Sequence, residues 1–115
     1  MRHRSKIKIL DRKKASREMM LRNLASSIII HEKVKTTQAK AKVVRSLVEK
    51  MITTAKAGDL TARRKLIQVL PQKKAIEKAL ELGKKYKDRE GGYTRIIKIG
   101  TRQGDGADVV QLELV

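Results

Sequence analysis

The last quarter of the chain limits what the rest can become. It reads Gly91-Gly92-Tyr93-Thr94-Arg95-Ile96-Ile97-Lys98-Ile99-Gly100 and then, after a break, Val109-Val110-Gln111-Leu112-Glu113-Leu114-Val115. Gly104, Asp105 and Gly106 lie in the break and supply the turn chemistry of a β-hairpin. In the second run Val110, Leu112 and Leu114 alternate with Gln111 and Glu113, so one face is dry and the other wet. The first run places Ile96, Ile97 and Ile99 on both faces, the pattern of an inner strand covered from both sides. A lone hairpin is marginal in water. Elements upstream must therefore cover it.

Charge also separates this segment from the rest. Between residues 91 and 115 Arg95, Lys98 and Arg102 are matched by Asp105, Asp108 and Glu113. Everything before is cationic. The expectation is a neutral hairpin scaffold with a charged working surface packed on it.

Upstream, apolar residues recur at helical spacing. A first helix is expected over residues 15–31, with Ser16 as its cap and Met20, Leu21, Leu24, Ala25, Ile28 and Ile29 as its stripe. Arg17 and Arg22 take its polar side, and His31 suits its C-terminal dipole. Lys33 to Thr37 is short and β-prone, a third strand beside the hairpin, after which Thr36 or Thr37 caps a second helix. That helix, about residues 38–57, carries Val44, Leu47, Val48, Met51, Ile52 and Ala55, with Lys40, Lys42, Arg45, Glu49 and Lys56 pointing elsewhere. Gly58 ends it and Asp59 caps the next. The third helix, about 60–70, sets Leu66, Ile67 and Leu70 opposite Arg63, Arg64 and Lys65, and Pro71 breaks it. A fourth, about 72–85, has Ile76, Ala79 and Leu80 as its stripe, with Lys73–Glu77 and Glu81–Lys85 as i,i+4 pairs. A charged link over 84–90 leads into the hairpin. No internal repeat is present.

Residues 1–14 show no helical stripe. They hold Arg2, Arg4, Lys6, Lys8, Arg12, Lys13 and Lys14 against a single Asp11, and read as an arm that orders on a polyanion. The expected organisation is this arm (1–14) and one globular unit (15–115). The fold class is α+β (an α/β composition of elements): a small three-stranded mixed sheet including the C-terminal hairpin, about four helices packed on it, and an extended basic arm.

Composition narrows the partner. The chain has 29 Lys+Arg against 12 Asp+Glu, a formal charge of +17, and self-repulsion of that size calls for a polyanion. Tyr86 and Tyr93 are the only phenolic rings, and Phe and Trp are absent. Binding of single strands by base stacking uses a platform of rings. Without one, the expected grip is on phosphate and sugar of folded, duplex-rich nucleic acid. The absence of cysteine excludes disulfides, thiolate metal sites and a cysteine nucleophile. No apolar run reaches the length of a membrane span, and the basic start lacks the apolar stretch of a signal peptide, so a soluble, unexported chain is expected.

Catalytic chemistry finds no foothold. His3 and His31 lack metal-ligand spacing, and the carboxylates sit beside cations rather than facing one another. Gly100 to Gly106 carries glycines without the Gly-Lys-Ser/Thr of a phosphate loop, and so reads as a turn. No catalytic residue, metal, cofactor or small-molecule substrate is expected.

The start Met1-Arg2-His3-Arg4, Leu21-Arg22-Asn23, Val34-Lys35-Thr36-Thr37 leading to Ala39-Lys40-Ala41-Lys42, Gly91 to Ile96, and the closing Leu112-Glu113-Leu114 occur in this order along the chain. Together they closely resemble the bacterial-type large-subunit ribosomal protein seventeen family over essentially the whole length. The resemblance implies a cytoplasmic, structural constituent of the large ribosomal subunit. It would bind and stabilise large-subunit ribosomal RNA near the peptide-exit region, with other ribosomal proteins as neighbours and no membrane insertion. It also implies that Arg2, His3 and Arg4 lead an arm into RNA. Arg22, Asn23, Thr36, Thr37 and Lys40 would lie near the RNA-facing surface, and Arg95 would reach a phosphate. With Lys6, Lys8, Arg12, Lys13, Lys14, Arg17, Lys35 and Arg45, these make up the candidate RNA-binding set. Two rival readings follow from charge alone, a DNA-compacting protein and a binder of anionic membranes. The first lacks a large apolar wedge in the 100–108 turn, and the second lacks a free amphipathic helix, since the stripes are needed on the sheet.

Overall fold

A computed structural model describes Leu10 and residues 12–115. Helix α1 spans Lys14–His31, strand β1 Lys33–Thr37, α2 Gln38–Ala55, α3 Leu60–Val69, α4 Lys73–Lys85, β2 Thr94–Thr101 and β3 Asp108–Leu114. Every expected element forms. The first helix starts earlier than Ser16 implies. Lys13 is the extended residue before it and makes no side-chain cap, so Ser16 lies inside the first turn. Lysine and alanine both favour helix and carry it back to Lys14. Asp59 does cap α3, its carboxylate accepting the Ala62 N–H at 2.8 Å.

The sheet has the order β1-β3-β2 and is antiparallel throughout, rather than mixed. β1 and β2 do run in the same direction, but β3 lies between them and the parallel relation is never a hydrogen-bonded pair. Nor is β2 the inner strand. β3 is hydrogen-bonded on both sides, Val34 pairing with Leu112 and Leu112 with Ile96, which leaves β2 at the edge. The adjacent isoleucines divide accordingly. Ile96 packs against the core, while Ile97 and Ile99 are 42 % and 49 % exposed on the edge strand.

α1 and α2 pack on the face of the sheet that carries Leu112 and Val110, both fully buried, and α3 and α4 pack in turn on α2. The opposite face presents Lys33, Lys35, Arg95 and Ile97 to solvent. α2 is the hub and touches every other element. Its stripe of Ala41, Val44, Val48, Met51, Ile52 and Ala55 is buried among Ala25, Ile28 and Ile29 of α1 and Ala75, Ile76, Ala79 and Leu82 of α4. α3 is short, and there Leu66 and Leu70 are buried but Ile67 is exposed, contrary to the expected stripe. Ile67 is adjacent to Leu66 and rotates off the buried face, where Ala62 sits instead. The expected pairs Lys73–Glu77 and Glu81–Lys85 do not form among the described residues, and Lys78 instead reaches Glu32 at 3.8 Å.

Two tyrosines fasten the end of the sheet. Tyr86 Oη donates to the Val115 carbonyl at 2.6 Å, and the Val115 N–H donates to the Tyr93 carbonyl at 2.9 Å. Their rings meet at 5.2 Å with a 49° tilt, an edge-biased aromatic contact. Lys56 Nζ donates to Tyr93 Oη at 3.0 Å and also to the Arg89 carbonyl. Its hydrogen bond, with one from Thr53, holds the Tyr93 phenol below its usual pKa against the opposing effect of burial.

Candidate nucleic-acid interface

Arg2, His3, Arg4, Lys6 and Lys8 lie outside the described residues. The other candidates fall into several separate places. At the start of α1, Arg12 and Asn23 line an open hollow of about 380 Å³ with Ser16, Met19 and Met20. Lys13 and Lys14 are exposed beside it, and Arg17 is half-buried. Arg22 points elsewhere, into a cleft of about 380 Å³ whose wall is Leu21, Val43, Leu47 and Val69, with Glu18, Ser46 and Lys50 on its rim.

A third group forms at the corner where β1 runs directly into α2. Lys35, Thr36, Thr37 and Lys40 line a hollow of about 310 Å³ together with Arg102 and Val109. Sequence reasoning missed Arg102 because it was set against Asp105 in a neutral hairpin. The signal that would have found it is strand register, which no local pattern reveals. Thr37 pairs with Val109, and Val109 with Gly100, so the β2–β3 turn ends beside the β1–α2 corner.

Two candidates carry carboxylate partners. Arg95 Nε lies 2.6 Å from Glu113 Oε1, and Gln111 Nε2 donates to Glu113 Oε2 at 2.9 Å. The Arg95 hydrogen bond, with Gln111 adding to it, holds the Glu113 carboxyl below its usual pKa. Arg45 Nε stands 3.9 Å from Glu49 Oε1, which also accepts from Thr94 Oγ1 at 3.0 Å. These are exposed or half-exposed pairs, and such pairs contribute little to stability. Beyond Arg45, Lys78, Arg95 and Arg102, no lysine or arginine among the described residues pairs with a carboxylate.

Helix ends add to the positive field. Among the described residues no helix has an acidic residue in its first turn, and α1, α2 and α4 start without a side-chain cap. Lys14, Lys40, Lys73 and Lys74 stand there instead. Cations near helix N-termini oppose the helix dipole. An approaching polyanion reverses that cost, since it meets both the cations and the dipole with favourable sign. Both tyrosine rings are buried, at 5 % and 1 % exposure, so neither offers a face to a nucleobase. Among the described residues no group of three His, Cys, Asp or Glu could hold a metal ion, and no helix is long and apolar enough to cross a membrane.

The family described as Ribosomal protein L17 matches residues 20–115. The large ribosomal subunit protein bL17 of Desulfitobacterium hafniense is 50 % identical over 107 residues, covering 92 % of this chain and 96 % of that protein. The chain belongs to the L17 family. Similar values hold for the Clostridium botulinum bL17, 50 % identical over 107 residues and covering 92 % of this chain and 95 % of the relative. The Syntrophotalea carbinolica bL17 is 48 % identical over 116 residues, covering all of this chain (100 %) and 75 % of its own length. The L17 family match contains most of α1 and every later element, and with them Arg22, the apolar wall of its cleft and the corner of Lys35, Lys40 and Arg102. Arg12, Lys13, Lys14 and Arg17 precede its first matched residue.

Proposed function

We propose that this L17-family chain is a structural, non-enzymatic constituent of the large ribosomal subunit in the cytoplasm. It binds and stabilises folded large-subunit ribosomal RNA through phosphate and sugar contacts, and neighbours other ribosomal proteins. The observation that carries the reading is the distribution of cations. Lys14, Lys40, Lys73 and Lys74 occupy the first turns of α1, α2 and α4 without a carboxylate partner among the described residues, while two of the four ion pairs found there, Arg95–Glu113 and Arg102–Asp105, lie on the hairpin. Such a surface opposes its own folding and is stabilised by a phosphate lattice. The burial of both tyrosines favours backbone contacts over base stacking. Arg2, His3, Arg4, Lys6 and Lys8, with Arg12 and Lys13, belong to an arm that enters the RNA, and residues 14–115, from the first residue of α1 onward, form the body. A position near the peptide-exit region rests on the family resemblance.

The test is binding of the full chain, and of a version lacking residues 1–12, to a folded fragment of large-subunit ribosomal RNA across a salt series. Strong salt dependence and preference for that fragment over random duplex support the reading. A preference for bent duplex DNA at matched salt would replace it with the architectural alternative. Loss of the RNA preference on deletion would assign specificity to the arm, and an unchanged preference would assign it to the helices and the corner hollow.

A further inference from the structure

The β1–α2 corner brings together residues from opposite ends of the chain. Lys35, Thr36, Thr37 and Lys40 come from one segment and Arg102 and Val109 from the hairpin, and among the described residues no carboxylate lines the hollow they share. Asp108 belongs to the neighbouring hollow, with Lys98, Gly100 and Thr101. Thr37 stands at the helix boundary, yet its hydroxyl makes no cap. Among the described residues that line it there is no aromatic ring and Val109 is the one apolar side chain, so the hollow suits a charged, oxygen-rich ligand rather than a base.

Arg102 is held in place. Its Nε donates to Asp105 Oδ1 at 3.1 Å and its Nη2 to Asp105 Oδ2, a bidentate pair. Asp105 Oδ1 also accepts the Ala107 N–H at 3.2 Å. The turn backbone closes around the pair, with the Arg102 N–H donating to the Ala107 carbonyl at 2.8 Å and the Gly106 N–H to the Arg102 carbonyl at 3.1 Å. A guanidinium has donors on two edges, and Asp105 occupies one. No carboxylate among the described residues takes the other edge, which can meet a second anion with the side chain already ordered. A bulge between Lys98 and Gly100 sharpens the twist of β2 just before this turn, the usual role of a bulge in re-aiming a strand end.

We infer that the corner hollow is a clamp for the phosphodiester backbone of folded RNA, with Lys35, Lys40 and Arg102 as its cations and Asp105 as the residue that positions Arg102. This rests on the RNA-binding reading above and names one place where the contact is made. Arg102→Ala lowers affinity for the ribosomal RNA fragment by about tenfold and flattens the log–log salt slope by about one. Asp105→Asn separates positioning from bulk charge. It removes an anion, so simple electrostatics calls for tighter binding, whereas loss of the held guanidinium calls for weaker binding. Weaker binding supports the positioning role, and tighter binding overturns it.

Because the chain has no cysteine, single substitutions give unique tethers for an iron chelate that cuts nearby backbone. Gln103→Cys lies in the hairpin turn, Ala39→Cys in the first turn of α2, and Ser16→Cys beside the α1 hollow. The full-length variants are assembled into large subunits lacking the native copy. Cuts from Gln103→Cys and Ala39→Cys in one shared stretch of RNA establish the clamp. Cuts at unrelated places, or cuts in a neighbouring protein, overturn it, while RNA cuts from Ser16→Cys keep the RNA-binding reading intact. If no tether cuts RNA and the protein fails to enter the particle, the RNA-binding reading fails and the clamp with it.

Discussion

Gly83 sits where α4 crosses the end of α2, and a side chain would have no room there. A Cβ built there would lie 2.6 Å from the Ala55 carbonyl oxygen and 2.7 Å from its carbon. Both atoms are backbone and cannot swing aside. Gly83→Ala is therefore expected to lower stability by about 1–3 kcal/mol despite the better helix propensity of alanine, measured by urea denaturation. An increase in stability would show that α4 shifts freely on α2. Asp105 gives a second test on single residues. The hydrogen bond from Arg102, helped by the Ala107 N–H, lowers its carboxyl pKa from 3.8 to about 2. A depressed carboxyl stabilises the folded form above its ordinary value, and that contribution is lost as pH falls from about 4 through about 2. Carbon-detected titration should place the Asp105 midpoint near pH 2, and Arg102→Ala should return it towards 3.8.

The two hairpin strands look alike in sequence but carry different loads. Leu112 on β3 is fully buried beneath the helices, while Ile97 on β2 is 42 % exposed. Leu112→Ala should cost about 2–5 kcal/mol, because it removes core contacts and leaves a cavity. Ile97→Thr should change stability by no more than about 0.5 kcal/mol, since threonine also suits a strand and little is uncovered. Equal losses from the two would place β2 inside the core. Much of the element plan was legible in the sequence. β1 has the expected bounds, Asp59 caps α3, and Pro71 follows its end, because caps, breakers and helical stripes act over a few residues. What local pattern could not reveal is which strand is central. Adjacent isoleucines at positions 96 and 97 look the same whether the outer one meets a helix or water.

For the whole molecule, the net charge of +17 acts in opposite directions on folding and on binding. Raising salt screens the repulsion between α1, α2 and α4 and should raise stability by about 1 kcal/mol, or about 4 °C in Tm. The same change should weaken RNA binding by about 10³-fold or more between about 50 and 200 mM salt, if several phosphates are contacted. Calorimetry and a binding titration in matched buffers check both signs. A Tm that falls with salt would mean that the cations are already neutralised within the fold.

Length, charge and residue type by themselves determined the class of this protein. A strongly cationic chain without cysteine, phenylalanine or tryptophan, with four amphipathic stripes and one alternating hairpin, has few ways to fold and one evident class of partner. Order and spacing of short motifs were enough to reveal the family. Tertiary structure alone decided the rest: that α2 touches every element, that both tyrosines are buried, that Gly83 admits a neighbouring backbone, and that Arg102 joins Lys35 and Lys40. The division has a physical cause. Periodicity and capping are short-range properties of neighbouring residues, whereas strand register and helix approach depend on how distant surfaces fit. The corner hollow exists only because Thr37, Val109 and Gly100 share one end of the sheet.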